Sequence, residues 1–191
     1  MHKIPREELG IEILNVRHDF RAFDCNDADL NDFIKNDALK EQRILVGKTH
    51  VCLWKNIIVG YITLASDSVR DKSLEEDYHI SCCTYPVYPC ILIGRLAVDK
   101  KFQRAGIGNF LLDLAIGLAF DGPIGCVFLT TDPKEDAIKF YEDAGFISME
   151  KKKGKRDPHR MYLDVAKAII ELADKTTRES LDEWFRGDLP R

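Results

Sequence analysis

Apolar residues recur along this chain in two rhythms, and the two alternate from one end to the other. Short continuous or alternating apolar runs predict strands, and three-to-four-residue spacings predict helices. "IEILNV" at 11–16 reads as an opening strand. In "CNDADLNDFIKNDALKEQ", Asn26 or Asp27 is placed to cap a helix that carries Leu30, Phe33, Ile34 and Ala38 on one face. "THVCLWK" and "IIVGYITLAS" are rich in β-branched and aromatic residues, and Asn56 between them predicts an antiparallel hairpin. Residues 67–90, charged and then proline-bearing, lack periodicity and predict a loop or insertion.

Further on, "CILIGRLAVD" at 90–99 is almost continuously apolar, as a strand covered on both faces would be. "GNFLLDLAIGLAF" carries Leu111, Leu112, Ala115 and Leu118 at helical spacing and stops at Gly122 and Pro123. "IGCVFLTT" predicts a second buried strand. "DPKEDAIKFYEDAGF" predicts a helix with Asp132 as cap, Pro133 in the first turn and Gly145 at the stop. "FISMEKK" and "RMYLDV" read as closing strands. The tail "TTRESLDEWF" has Thr176 and Glu179 at capping-box spacing, with Leu181, Trp184 and Phe185 on one face. The order β-α-β-β-(loop)-β-α-β-α-β-β-α predicts an α/β (α+β) fold, a mixed central sheet with helices on both faces. We divide it into a domain over 1–165, with 67–90 as its insertion, and a helical extension over 166–191.

Composition narrows the class. The length of 191 residues suits one domain with an appendage. A net charge of -4 excludes a strongly basic nucleic-acid binder, although "KKKGKRDPHR" at 151–160 is a local basic cluster that also suits a solvated loop. The six cysteines form no C-x-x-C pair and several sit in apolar runs, so reduced buried thiols are expected. The five histidines are scattered, and we expect no metal. "MHKIPREELGIEILNV" has no apolar leader segment, and no apolar stretch reaches membrane-spanning length. A cytoplasmic location without membrane contact is the expectation.

The chemistry concentrates in "LAVDKKFQRAGIGNFLLDLA", residues 96–115. Gly106 and Gly108 stand where a helix leaves a strand. Helix N-termini expose unpaired N–H groups and favour an anion. Glycine lets a phosphate approach the backbone without a Cβ in the way. Each charge-assisted bond there is worth about 1.5–3 kcal/mol. Arg104, with Lys100 or Lys101, would add positive potential. Asn109 and Phe110 follow Gly108, so the stretch matches neither G-x-x-x-x-G-K-[ST] nor G-x-G-x-x-G. Taken alone, "QRAGIG" also suits a plain helix start.

Two motifs decide between these readings. "V-x-x-x-x-Q-R-x-G-I-G", Val98 to Gly108, resembles the acetyl-CoA-binding motif of the GNAT superfamily of N-acetyltransferases. "A-I-K-F-Y-E-D-A-G-F", Ala137 to Phe146, resembles its second signature. The resemblance covers roughly 10–165 and implies the acyl-CoA N-acyltransferase fold, with coenzyme A in a V-shaped opening between two parallel central strands. It implies that Leu96, Ala97 and Val98 meet the pantetheine arm. The Val98 N–H would polarise the thioester carbonyl. Gln103, Arg104, Ala105, Gly106, Ile107 and Gly108 would cradle the pyrophosphate, with Asn109 at the helix start. Phe140 would pack on the cofactor, and Tyr141 would protonate the departing thiolate. A tyrosine in this setting is also, plainly, core with one satisfied hydroxyl. "DPKEDA" departs from the asparagine many relatives carry there, which leaves contacts from 132–136 unassigned.

A closer resemblance runs through "RHDFRAFDCNDADLNDFIKNDALKEQ", "VGYITLASDSV" and "ILIGRLAVDKKFQRAGIGNFLLDLAI". These are similar to the GNAT toxins of bacterial toxin–antitoxin pairs. That implies acetylation of the α-amino group of aminoacyl-tRNA, a homodimer, and a ribbon-helix-helix antitoxin as partner. Arg17, Arg21, Lys35, Arg95, Lys100, Lys101 and the 151–160 cluster would meet tRNA phosphates, although such toxins are mostly basic and this chain is not. A small-molecule amine or a protein N-terminus is the alternative acceptor within the enzyme class. A non-catalytic coenzyme-A-binding module is the alternative outside it.

Overall fold

In a computed structural model the described residues are 3–70, 85–149 and 160–173. Seven strands form a mixed sheet in the order β1-β2-β3-β4-β5-β7-β6. By compactness the chain divides into one unit, Met1–Ala65 with Ile93–Ala115, and a second, Ser66–Leu92 with Ile116–Arg191. Strands β3 and β4 and helix α3 run through both.

In the first unit, β1 (Leu9–Ile13) pairs antiparallel with β2 (Lys48–Trp54), and β2 with β3 (Ile57–Arg70). Lys55 and Asn56 close the hairpin at φ 50° and 63°, the left-handed pair that matches strand twist, as the Asn56 signal predicts. Asp27 caps α1 (Ala28–Asp32) by accepting from the Leu30 N–H at 3.0 Å. The single helix expected from 25 to 42 is instead three pieces. A π-helical turn, Phe33–Asp37, separates α1 from α2 (Ala38–Arg43).

This helical segment covers one face of the sheet. Tyr61 is fully buried between Phe23 and Phe33, and its hydroxyl donates to the Leu30 carbonyl at 2.8 Å. Gly60, one residue earlier, faces the other way. A Cβ there would lie 2.9 Å from the Ala97 carbonyl oxygen and 3.2–3.3 Å from Leu111 and Ile107. The missing side chain is what lets β4 (Val87–Val98) and α3 (Ile107–Asp121) approach β3 so closely. Helices therefore lie on both faces of this unit's strands. Along α3, Leu111, Leu112 and Ala115 are buried as the spacing predicts, and Ile107, ahead of the predicted run, is buried with them. Leu118 is exposed, and Ala119 takes its place on the buried face.

In the second unit, β5 (Phe128–Thr131) and β6 (Ile147–Ser148) each pair antiparallel with β7 (Met161–Asp164). Phe128 sits at its centre, edge-on to Tyr88 and Tyr162. The loop expected over 67–90 is strand at both flanks. β3 continues to Arg70 and β4 begins at Val87; residues 71–84 lie outside the described ones. Cross-strand pairing there overrides the weak strand preference of Ser66, Asp67 and Ser68. Helix α4 (Ile138–Asp143) starts later than predicted, after a 3-10 turn Glu135–Ala137. The residue before that turn is Lys134, with no side-chain cap, so Asp132 does not cap it. Gly145, at φ 88°, ends α4 as expected: the Phe146 and Gly145 N–H groups bond back to the Tyr141 and Glu142 carbonyls.

Helix α5 (Val165–Leu172) is capped by Asp164, whose carboxylate accepts from the Lys167 N–H at 3.0 Å. The tail helix expected at 176–185 and most of the 151–160 basic cluster lie outside the described residues. Cys25, Cys52, Cys90 and Cys126 are free thiols. Cys82 and Cys83 are not among the described residues. No group of His, Cys, Asp or Glu that could hold a metal occurs among the described residues, and no described helix is long and apolar enough to cross a membrane.

Candidate active site

One group of candidate site residues lies in the first unit, where β4 ends and α3 begins. Leu96 and Val98 are half-buried and Ala97 is buried. Beyond Val98 the chain makes a tight turn. Asp99 is 3% exposed, and its carboxylate accepts from the N–H groups of Asp24 and Lys101, at 3.1 and 2.9 Å. Its own N–H bonds to the Val59 carbonyl and its C=O accepts from Phe102. Arg104 is left-handed at φ 62°, and Gly106 at φ 92°. The first helical bond of α3 is Phe110 N–H to the Gly106 carbonyl, at 3.1 Å. The N–H groups of Gly106, Ile107, Gly108 and Asn109 are thus the four that α3 leaves without an intrahelical partner.

Space at this end is open. A Cβ on Gly106 would meet nothing within 4 Å, and Gly106 and Asn109 are exposed. Four amides without an intrahelical partner, a helix dipole and a residue without a side chain fit a diphosphate. Two residues of the expected cradle are otherwise engaged. Ala105 is buried, its N–H bonded to the Phe102 carbonyl and its C=O to the Ile4 N–H. The Gln103 side chain points inward, its amide donating to the carbonyls of Cys25 and Val98 at 3.1 and 3.2 Å.

Cations near the turn are partly committed. Lys100 pairs with Asp24 at 2.6 Å, which holds the Asp24 carboxyl well below the usual carboxylate range. Arg21 pairs with Asp19, and Arg95 lies 5.0 Å over the Phe33 ring while bonding the Gly94 carbonyl. Among the described residues Arg17, Lys35 and Lys101 are exposed and make no ion pair.

A separate group of candidate residues lies in the second unit. Tyr141 on α4 is 5% exposed, with its ring 5.1 Å from Phe140 and 5.2 Å from Phe146. Burial pushes its phenol up from the ordinary value, and a hydrogen bond with the Thr131 side chain opposes that only in part. The hydroxyl therefore stays protonated at neutral pH. Nearby in sequence, the Thr130 hydroxyl donates to Asp67, which also pairs with Arg160. Burial raises the Asp67 carboxyl, but bonds from Thr130, the Ser68 N–H and Arg160 outweigh it, and the group is held ionised.

Sequence reasoning missed Asp24, Cys25, Asn31, Asp99 and Thr131 as supports. Asp24 and Cys25 stood in the "FDCN" stretch, but nothing in the spacing said that they bond to residues some 75 positions on.

Residues 11–146 match the model of the acetyltransferase (GNAT) family, and the chain belongs to that family of acetyl-CoA-dependent enzymes. A tRNA-acetylating toxin of Mycobacterium tuberculosis (strain ATCC 25618 / H37Rv) is 33% identical over 99 residues, 52% of this chain and 58% of the toxin. The match thus spans little more than half of that relative's length. The structure of AtaT complexed with acetyl-methionyl-tRNAfMet superposes with a TM-score of 0.76 at 22% identity, covering 86% of this chain and 99% of AtaT. A Tyr-to-Phe mutant of AtaT, bound to the C-terminus of the antitoxin AtaR and acetyl-CoA, gives 0.69 at 21% identity, covering 87% and 99%. These likenesses show a shared fold.

Proposed function

We propose that this chain transfers acetyl from acetyl-CoA to the α-amino group of aminoacyl-tRNA. The observation that carries the reading is the open N-terminus of α3. Its four amides without an intrahelical partner, the left-handed Gly106 among them, suit a diphosphate. Gly106, Ile107, Gly108 and Asn109 would hold that group through the backbone, with Arg104 adding charge. Leu96, Ala97 and Val98 would line the pantetheine arm, and Phe140 would pack against the cofactor. The bound cofactor supplies an acetyl group activated as a thioester. The Val98 N–H would steady negative charge on the acetyl oxygen. The buried, protonated Tyr141 would give its proton to the leaving sulfur.

Chemistry favours an α-amine over a lysine side chain as acceptor. An α-amino group titrates near ~7.7–8.0 and a lysine side chain near ~10.4, so the former needs no strong base. Asp67, held ionised by Thr130 and Arg160, is too weak a base to strip an ammonium. An α-amine needs none, since water suffices. The likeness to the tRNA-acetylating toxin and to AtaT supports this acceptor. Exposed Arg17, Lys35 and Lys101, which form no ion pair among the described residues, would contact phosphates. By the same likeness the chain would act as a cytoplasmic homodimer neutralised by a ribbon-helix-helix antitoxin.

Incubation with labelled acetyl-CoA and total charged tRNA tests the proposal. Label should appear on the aminoacyl end and leave with the amino acid when the ester is hydrolysed in mild base. Label on protein N-termini or small amines instead would overturn the tRNA acceptor. No acetylated product of any kind would overturn acetyl transfer.

A further inference from the structure

Resting on the cofactor reading above, we infer that Gln103 is the positioning residue of the anion-binding turn, and that it works by stapling the Asp24–Cys25 corner to the end of β4. Its amide nitrogen donates to two carbonyls at once, Cys25 at 3.1 Å and Val98 at 3.2 Å. Two acceptors facing one side-chain group require two donors, so the NH2 must point inward and no N–H of the amide remains for a ligand.

The corner it grips is itself fixed. Asn31 accepts from the Cys25 N–H at 3.0 Å and donates to the Asp24 carboxylate at 2.9 Å. The Asp24 N–H bonds Asp99, and the Asp24 carbonyl accepts from the Lys100 N–H at 2.8 Å. Lys100 closes on the Asp24 carboxylate from outside. The "FDCN" stretch is therefore an anvil for the turn, held through residues on both sides of β4's end.

The turn needs such support. Arg104, immediately after Gln103, and Gly106 are both left-handed. A non-glycine residue in that region persists only where its surroundings over-determine it. Release of the staple lets Arg104 relax, and the Gly106–Asn109 amides lose their common aim. Isolated backbone N–H groups at a fixed direction bind an anion; the same groups on a loose turn must first be ordered.

Three substitutions separate this role from bulk and from charge. Gln103→Glu keeps the shape but sets an acceptor against two carbonyls. Gln103→Met removes both donors without charge. Gln103→Arg still offers two N–H groups. Calorimetric titration with coenzyme A should show affinity roughly 10- to 100-fold weaker for the first two, with Gln103→Arg near the unsubstituted protein. A readout free of the cofactor accompanies it: hydrogen exchange of the peptide spanning 99–110 in the unliganded protein. Exchange there should quicken in Gln103→Glu and Gln103→Met and stay unchanged in Gln103→Arg. Equal exchange in all four proteins overturns the staple, whatever the affinities. Failure of the unsubstituted protein to bind coenzyme A overturns the cofactor reading alone, and exchange still decides the staple. If Gln103→Glu does not fold, Gln103→Met carries both measurements.

Discussion

Tyr141 is a packing residue that the proposed mechanism also asks to give a proton. Its ring fills the space between Phe140 and Phe146, and its hydroxyl reaches Thr131. Tyr141→Phe keeps the ring and removes the proton. Acetyl transfer should fall by roughly 10²- to 10⁴-fold, the usual share of a general acid. The melting temperature should change little, since a single hydroxyl bond contributes about 1 kcal/mol. The sign of the pH effect also follows. Burial raises the folded phenol, so any alkaline loss of rate caused by its ionisation is displaced upward from where an ordinary tyrosine would give it. Acetyl transfer at the unsubstituted rate in Tyr141→Phe would remove the donor role, and a break near neutrality that vanishes in that variant would contradict the raised phenol.

At the scale of elements the decisive contact is a missing side chain. Gly60 brings β3 against Ala97 of β4 and against Ile107 and Leu111 of α3. Gly60→Ala places a Cβ 2.9 Å from a backbone oxygen, which cannot move aside as a flexible side chain would. We expect a loss of about 1–3 kcal/mol by denaturant unfolding, the range for overpacked cores. Coenzyme A binding should weaken as well, because the displaced strand and helix carry Val98 and Gly106. Much of this architecture was legible beforehand. The β2–β3 hairpin, β4, α3 and the Gly145 stop carry strong local signals: Asn56, a long apolar run, helical spacing, a glycine. The flanks of 67–90 were not, since Asp67, Ser68 and Pro89 disfavour strand locally and only pairing makes them so. The π-helical turn at Phe33–Asp37 has no such signature. In the site, glycine spacing marked the turn and the second motif marked Tyr141. The bonds of Gln103 and Asp99 to the 24–25 corner were invisible, because contacts between distant segments leave no trace in local pattern.

For the whole molecule, the thiols noted above have a practical meaning. Cys52 is fully shielded in the first unit, and Cys90 is 5% exposed in the second. Burial pushes both up to about 12, so neither is nucleophilic while the chain is folded. Each compact unit thus contains its own chemical clock, which starts only when that unit opens. Alkylation followed by peptide mass analysis should give one common rate at the two positions, because β3 and β4 thread both units and neither can come apart without them. Faster capture at Cys90 would mean that the unit bearing Tyr141 breathes independently, and that the proposed proton donor could be displaced without global unfolding.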